Sequence, residues 1–264
     1  MMRTAIIGGS GVYDLDILTD PKEEVIDTGY GAAKVKIGLY GDMEIVFLSR
    51  HGKGHALPPH KINYRANIAA LKNLGVERII GTTAVGSINA DFKPGDFVLL
   101  DQFIDFTKNR IHTFYDDAAV HVDMTNPYCP EIRESVINAA KTLKIDLHEK
   151  GTYVCVEGPR FETSAEIRMF ALLGGDVVGM TNIPECVLAR EVEICYNTIA
   201  LVTNQAAGIS SGKLSHSQMI DEMKSKQEEL KALIMKSATL VPEGRKCLCK
   251  DVLKGADIGE LLTK

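Results

Sequence analysis

The chain has 264 residues, 45% hydrophobic and 25% charged, proportions that exclude disordered, collagen-like and coiled-coil classes. Its 30 Lys and Arg stand against 35 Asp and Glu, for a formal net charge of −5. No basic block interleaved with aromatics is present, so the electrostatic footprint of a nucleic-acid binder is missing.

No apolar run approaches the ~18 residues of a membrane helix. The opening MMRTAIIGGSG has one Arg and a short apolar stretch that breaks at glycines. A secretory leader needs an apolar region of roughly 7–15 residues, so a buried first strand is expected instead. The six cysteines, at 129, 155, 186, 195, 247 and 249, are sparse and mostly sit in apolar segments. Free thiols in a reducing compartment are expected. Together these features point to a cytoplasmic enzyme of small molecules, with neither membrane nor nucleic acid as partner.

In chain order, strands are expected at 4–7 and 44–48, a helix at 64–74, and strands at 78–82 and 96–100. A helix at 130–143, a strand at 152–156, a helix at 164–173 and a strand at 177–180 follow. The series ends with a helix at 184–193, a strand at 199–203 and a long helix at 215–236. The strands are short runs rich in Val and Ile, as in sheets buried on both faces. In the last helix Ile220, Met223, Leu230, Leu233 and Ile234 trace one apolar face. Ser215 suits its N-cap, and Thr163 or Ser164 that of the helix ending at 173. Residues 246–264 are compatible with a short terminal helix. Strands alternating with helices predict an α/β sheet flanked by helices, and no linker or repeat divides 1–264, which is expected to form one domain.

Three strand-end loops carry anion-binding chemistry. Gly8-Gly-Ser10-Gly follows the first strand; its glycines permit close backbone approach and Ser10 adds a hydroxyl. It matches neither the dinucleotide fingerprint nor the P-loop, and a plain tight turn is the competing reading. Ser49-Arg50-His51-Gly follows the second strand, where a guanidinium fork and an imidazole suit a phosphate; a solvated basic loop is the alternative. Thr82-Thr83-Ala84-Val-Gly-Ser87 supplies strand-end hydroxyls. Loops at the carboxyl ends of parallel strands are where an α/β sheet places its ligand. Further along, Glu157-Gly-Pro-Arg-Phe161-Glu162-Thr163 offers an aromatic face and a carboxylate to a flat heterocycle, although a carboxylate there also complements a helix dipole. Two more segments follow, Gly179-Met180-Thr181-Asn-Ile-Pro-Glu185 and Val202-Thr-Asn204-Gln205-Ala206-Ala-Gly208; an Asn at a strand end is more often a turn residue than a ligand. The seven histidines form no metal-binding helix motif, no cysteine pair has zinc spacing, and Cys247-Leu-Cys249 reads as two free thiols near the surface, with a strained disulfide as the alternative. No metal is expected.

In order, GGSG, SRHG, NYRANIAAL at 63–71, TTAVGS, FYDD, EGPRFET, GMTNIPE and VTNQAAG resemble the trimeric purine nucleoside phosphorylase/methylthioadenosine phosphorylase family. The likeness runs from about residue 5 to 235 and is weakest in the tail. It implies an α/β fold with a mixed central sheet, partly barrel-like and flanked by helices. It also implies phosphorolysis without metal or organic cofactor, inorganic phosphate being a co-substrate, in a homotrimer or a dimer of trimers.

Carried onto matching positions, the resemblance assigns Ser10, Arg50, His51, Thr83, Ala84 and Thr181 to phosphate. It sets Met180 under the sugar, Phe161 against the base, and Asn204, Gln205 and Ala206 beside the substrate. His121 corresponds to a position that reaches a neighbouring subunit's sugar pocket. The methylthioadenosine branch carries Asp at the positions of Asn204 and Ala206 and a small hydroxyl residue at that of Glu162. Asn, Ala and Glu here match the 6-oxopurine set, in which Glu162 accepts from N1–H and Asn204 donates to O6 or N7. His216 matches the ribose 5′-hydroxyl partner of the nucleoside branch, with a helix-start histidine lacking any ligand as the alternative. Phosphorolysis of inosine and guanosine in purine salvage is therefore expected, Glu162 and Asn204 being the catalytic pair; 5′-methylthioinosine or 5′-methylthioadenosine phosphorolysis is the alternative.

Overall fold

The structure of the chain is a computed structural model that describes residues 3–9, 12, 16–52, 54, 56–209 and 216–254, and at 216–220 the backbone alone. Among the described residues, eleven strands join in one mixed sheet. β1 (Arg3–Gly8) lies parallel to both β4 (Met43–Ser49) and β5 (Val76–Ser87). β2 (Thr19–Thr28) and β3 (Gly31–Tyr40) form a hairpin that extends the sheet antiparallel beyond β4.

β5 is the branch point. Its length lets it pair along one edge with β11 (Cys195–Gln205), in parallel. Past the end of β1, its Gly86 and Ser87 pair antiparallel with β10 (Val177–Gly179). β10 continues in parallel to β9 (Thr152–Val156) and then to β7 (Gln102–Phe106). β6 (Phe97–Leu99) borders β11 antiparallel, and the two-residue β8 (Leu147–His148) borders β6. The two arms diverge from β5, so strand-end loops of both face one region.

Helices cover both faces. α1 (Tyr64–Asn73) and α4 (Asn182–Glu191) share a core through Ile68, Leu71, Ile183 and Leu188. α2 (Pro130–Leu143) and α5 (His216–Leu240) share another through Ile132, Val136, Leu230 and Leu233. α3 (Ser164–Leu172) closes a smaller cluster with Ile167 and Phe170 against Val154 and Val178. The expected α/β architecture is therefore present, and each of the twelve expected elements has a counterpart, five of them longer than expected and four shorter. On α5 the expected face is buried at Met223, Leu230, Leu233 and Ile234; the Ile220 side chain and the Ser215 cap lie outside the described residues.

Four strands were not expected. β2 is exposed along most of its length and reads Thr-Asp-Pro-Lys-Glu-Glu, so no apolar period announces it. Its pairing partner, and not a buried face, holds it extended. β3, β7 and β8 likewise bury too little of each strand for a buried apolar run. In the tail, a single short helical turn spans Leu248–Asp251, and 255–264 lie outside the described residues.

Candidate active site

A cavity of about 410 Å³ opens where the strand-end loops of the two arms meet. His51, Thr83, Ala84, Thr181, Met180, Phe161, Glu162 and Asn204 line it, so eight of the fourteen expected site residues converge on one space. Ser10 and the His216 side chain lie outside the described residues.

Thr83, on β5, and Thr181, just before α4, bring their hydroxyls to 3.3 Å. Thr181's amide donates to the buried Tyr153 hydroxyl at 3.1 Å. The His51 ring is held by Nδ1, which donates to the Leu57 carbonyl at 2.9 Å, while the Leu57 amide returns a bond to the His51 carbonyl. These hydroxyls make a lining suited to an anion.

Arg50 is different from the sequence expectation. Its bidentate edge does not face the cavity: Nε and Nη2 donate to the two oxygens of Glu185, each at 2.6 Å, and Nη1 donates to the Thr82 carbonyl at 2.7 Å. Both side chains of the pair are fully buried. Burial alone lowers the Arg50 pKa, but the charge and hydrogen bonds of Glu185 outweigh it and raise the value overall. Glu185 also accepts from the Tyr196 hydroxyl, which accepts from Thr198 and Asn182. Asn182 in turn accepts from Tyr128 at 2.5 Å. The cation under the anion loops is thus the centre of a satisfied polar network. A carboxylate between Pro184 and Cys186 in an otherwise apolar turn is the sequence signal for it, since such a group needs a partner.

Gly9 explains the first loop. Its amide donates to the Thr82 hydroxyl at 3.0 Å, and a Cβ there would lie 2.6 Å from the Thr82 carbonyl oxygen and 2.7 Å from Arg50 Nη1. Packing therefore demands the glycine, whichever role the loop has.

The segment from Glu157 to Glu166 presents Phe161 and Glu162 between two clamps. Glu157 accepts from the amides of Lys108 and Asn109 at 2.6 and 3.2 Å, and its carbonyl accepts from Arg110 at 2.8 Å. Arg160 grips both oxygens of Glu166, which closes a capping box with Thr163. Glu166, and not Glu162, thus serves the helix terminus, and Glu162 is left to the cavity. Burial raises the Glu162 pKa from its ordinary value; the Glu166 charge adds to this, while its own backbone hydrogen bond and Arg160 oppose it. Gly158, at φ +66°, leaves room for Met180: a Cβ would fall 2.5 Å from its sulfur.

Asn204 closes the site at the end of β11. Its Oδ1 accepts from Thr203 at 2.9 Å, and Nδ2 donates to the Gln205 carbonyl at 3.0 Å. Two neighbours do not join it. Gln205 turns away, donating to the Phe92 carbonyl at 2.8 Å. Ala206 is buried with Ile88, Val154 and Val178. Neither lines the cavity: Gln205, next to Asn204 on the strand, points to the opposite side, and Ala206 lies past the end of β11. His121 is exposed in the loop before α2 and also lies off the cavity.

The family described as "Phosphorylase superfamily" matches residues 3–239. The chain is 59% identical over 264 residues to a probable 6-oxopurine nucleoside phosphorylase of Thermococcus kodakarensis, covering 97% of this chain and 99% of the relative. It is 58% identical to the 6-oxopurine nucleoside phosphorylase of Pyrococcus furiosus, with the same coverage. Among solved structures, a methylthioadenosine phosphorylase from an Antarctic soil metagenomic library superposes with a TM-score of 0.89 at 40% identity, over 95% of this chain and 90% of that one.

Proposed function

This chain belongs to the phosphorylase superfamily, and from that premise we propose that it cleaves 6-oxopurine nucleosides with inorganic phosphate, giving free base and ribose 1-phosphate. The observation that carries the reading is the pairing of Glu162 and Asn204 in one cavity with the hydroxyls of Thr83 and Thr181. The names of the 59% and 58% identical relatives support the same substrate class.

A 6-oxopurine offers N1–H as donor and O6 as acceptor. The Glu162 carboxylate accepts from N1–H, and Asn204 donates to O6 or N7. Adenine offers a lone pair at N1 and an amino donor at position 6, so Glu162 would face a lone pair.

Phosphate rests against Thr83, Thr181, the Ala84 backbone and His51. Arg50 stands behind these groups with two of its five N–H donors uncommitted to Glu185 or Thr82. A phosphate oxygen attacks C1′ as the C1′–N9 bond lengthens, and the bonding pair leaves with the base. The transition state is oxocarbenium-like: the phosphate dianion stabilises positive charge on the sugar, Met180 supports the ribose, and Asn204 stabilises negative charge on the purine. Neither a protein nucleophile nor a metal or organic cofactor takes part in these steps. His121, exposed and off the cavity, fits a contact to a neighbouring subunit's sugar site in a homotrimer.

Incubating the protein with inosine tests the reaction class: hypoxanthine and ribose 1-phosphate should form in equal amounts only when phosphate is present. Binding of inosine without phosphate-dependent turnover would make the protein a purine sensor instead.

The raised Glu162 carboxyl gives a pH prediction. The ionised form accepts from N1–H, so kcat/KM for inosine falls as pH drops through the Glu162 pKa and this group is protonated. Phosphate ionisation adds an acid limb to any variant. The limb due to Glu162 is expected to vanish in Glu162→Gln, leaving a shallower profile. Identical acid limbs in the two proteins would remove Glu162 from base recognition.

A further inference from the structure

Four of the six cysteines meet at one place, far apart in sequence. Cys129 precedes α2, Cys195 opens β11, and Cys247 and Cys249 belong to the segment after α5. All four are buried, and their sulfurs lie within 4.8 Å of one another. Cys195 and Cys247 approach to 3.4 Å. The expectation of two thiols near the surface is thereby corrected: Cys247 and Cys249 are only 7% and 2% exposed, because the tail folds back onto α2 and β11. Spacing along the chain hid the cluster, since three separate segments contribute to it.

The surroundings are built for negative sulfur. Arg78, buried, donates Nη1 to Cys195 Sγ at 3.4 Å. Arg190, also buried, donates Nη1 to Cys249 Sγ at 3.4 Å. Glu131 offsets part of the Arg78 charge at 3.2 Å and holds the loop by accepting from the amides of Lys246 and Cys247 at 2.6 and 2.8 Å. Arg78 further donates to the carbonyls of Pro242 and Gly244. The tail segment that leads into Cys247 is thus fixed by hydrogen bonds that do not involve sulfur.

We propose that Cys129, Cys195, Cys247 and Cys249 form a tetrahedral tetrathiolate site for a thiophilic divalent cation, with zinc as the expected occupant. Zinc–sulfur bonds of ~2.3 Å in a tetrahedron put sulfurs about 3.8 Å apart, within the span of this cluster. Binding converts four thiols to four thiolates and releases four protons to solvent, leaving the ion and its ligands with two negative charges. The guanidinium groups of Arg78 and Arg190 sit where they oppose that charge and orient the ligands. None of the four cysteines lines the large cavity, so the site is structural: it ties the tail to the sheet and to α2.

The test uses the full chain, purified without chelator or metal-affinity resin under reductant. Elemental analysis should find close to one zinc per chain, and a mercurial thiol reagent should release it. One iron per chain, with its visible thiolate bands, would keep the site and change the ion. Cys249→Ser should lose most of the metal, while the Cys155→Ser control, at a buried cysteine outside the cluster, keeps it. At a hundredfold excess of free zinc over its Kd, the melting temperature of the metal-free protein should rise by roughly 5–10 °C. Inosine turnover by Cys249→Ser at 25 °C should stay within about twofold of the parent protein. Two outcomes overturn the proposal: no metal after anaerobic reconstitution with zinc, or a mass lower by four hydrogens from two disulfides that persist under mild reductant.

Discussion

Replacing Glu185 by alanine is expected to destabilise the protein by about 3–5 kcal/mol, the usual cost of leaving one partner of a buried ion pair alone. Arg50 and Glu185 are both fully buried and share two bonds of 2.6 Å. Removing the carboxylate strands a guanidinium that water cannot reach, and it also removes the acceptor of the Tyr196 hydroxyl. Urea unfolding at neutral pH measures the loss. The double variant Arg50→Met/Glu185→Leu should regain most of it, because two apolar side chains of similar size need no partner; the Tyr196 hydroxyl accounts for the remainder. A loss below ~1 kcal/mol in Glu185→Ala would mean that the pair is not dry.

Asn204→Ala is expected to lower kcat for inosine by ~10²–10³ with little change in KM. The basis is where charge develops. Ground-state inosine is neutral, and negative charge collects on the purine only as the C1′–N9 bond breaks, so a donor aimed at O6 or N7 acts on the transition state more than on the bound substrate. Asn204 is held for this by Thr203 on its oxygen and by the Gln205 carbonyl on one amide hydrogen, which leaves the other hydrogen for the base. Single-turnover kinetics under saturating phosphate would isolate the bond-breaking step. An unchanged rate in the variant would remove Asn204 from the chemistry.

The parts of the fold that sequence reveals are those whose side chains obey a burial period. α2, predicted at 130–143, is found at Pro130–Leu143, with Pro at its first position and Ile132, Val136 and Ala139 buried. β9 is found at the predicted 152–156, between glycine and the Glu157 loop. The β2–β3 hairpin escaped because β2 alternates little and shows its charges to solvent. Within the site, the strand-end hydroxyls were legible from short motifs, whereas the Glu162–Asn204 pair came only from the family resemblance that those motifs carry together. What was not legible were partnerships across long separations. Arg50 lies 135 residues from Glu185, and Cys129 lies 118 residues before Cys247 (247 less 129), so only the folded chain brings either pair together. Gln205 and Ala206 show the opposite limit: a motif can match in order while the side chains after Asn204 leave the cavity, Gln205 for the Phe92 carbonyl and Ala206 for the cluster around Val178.

The Arg50–Glu185 pair also bears on how an acidic chain handles an anionic co-substrate. With Glu185 in contact, Arg50 brings little net charge to the cavity. Under the proposed function, affinity for phosphate would then rest on hydroxyls and backbone amides, and is expected to depend only weakly on overall charge. The −5 balance of the chain is no obstacle to such a site.

The measurement that bears most directly on the proposed activity is a comparison of kcat/KM for inosine, guanosine, adenosine, 5′-methylthioinosine and 5′-methylthioadenosine at saturating phosphate. A carboxylate facing N1 favours the 6-oxo compounds. Inosine and guanosine should exceed adenosine by a factor on the order of 10⁴, as when buried polar partners meet a mismatched analogue. A preference for 5′-methylthioadenosine would contradict the pairing of Glu162 and Asn204 with a 6-oxopurine.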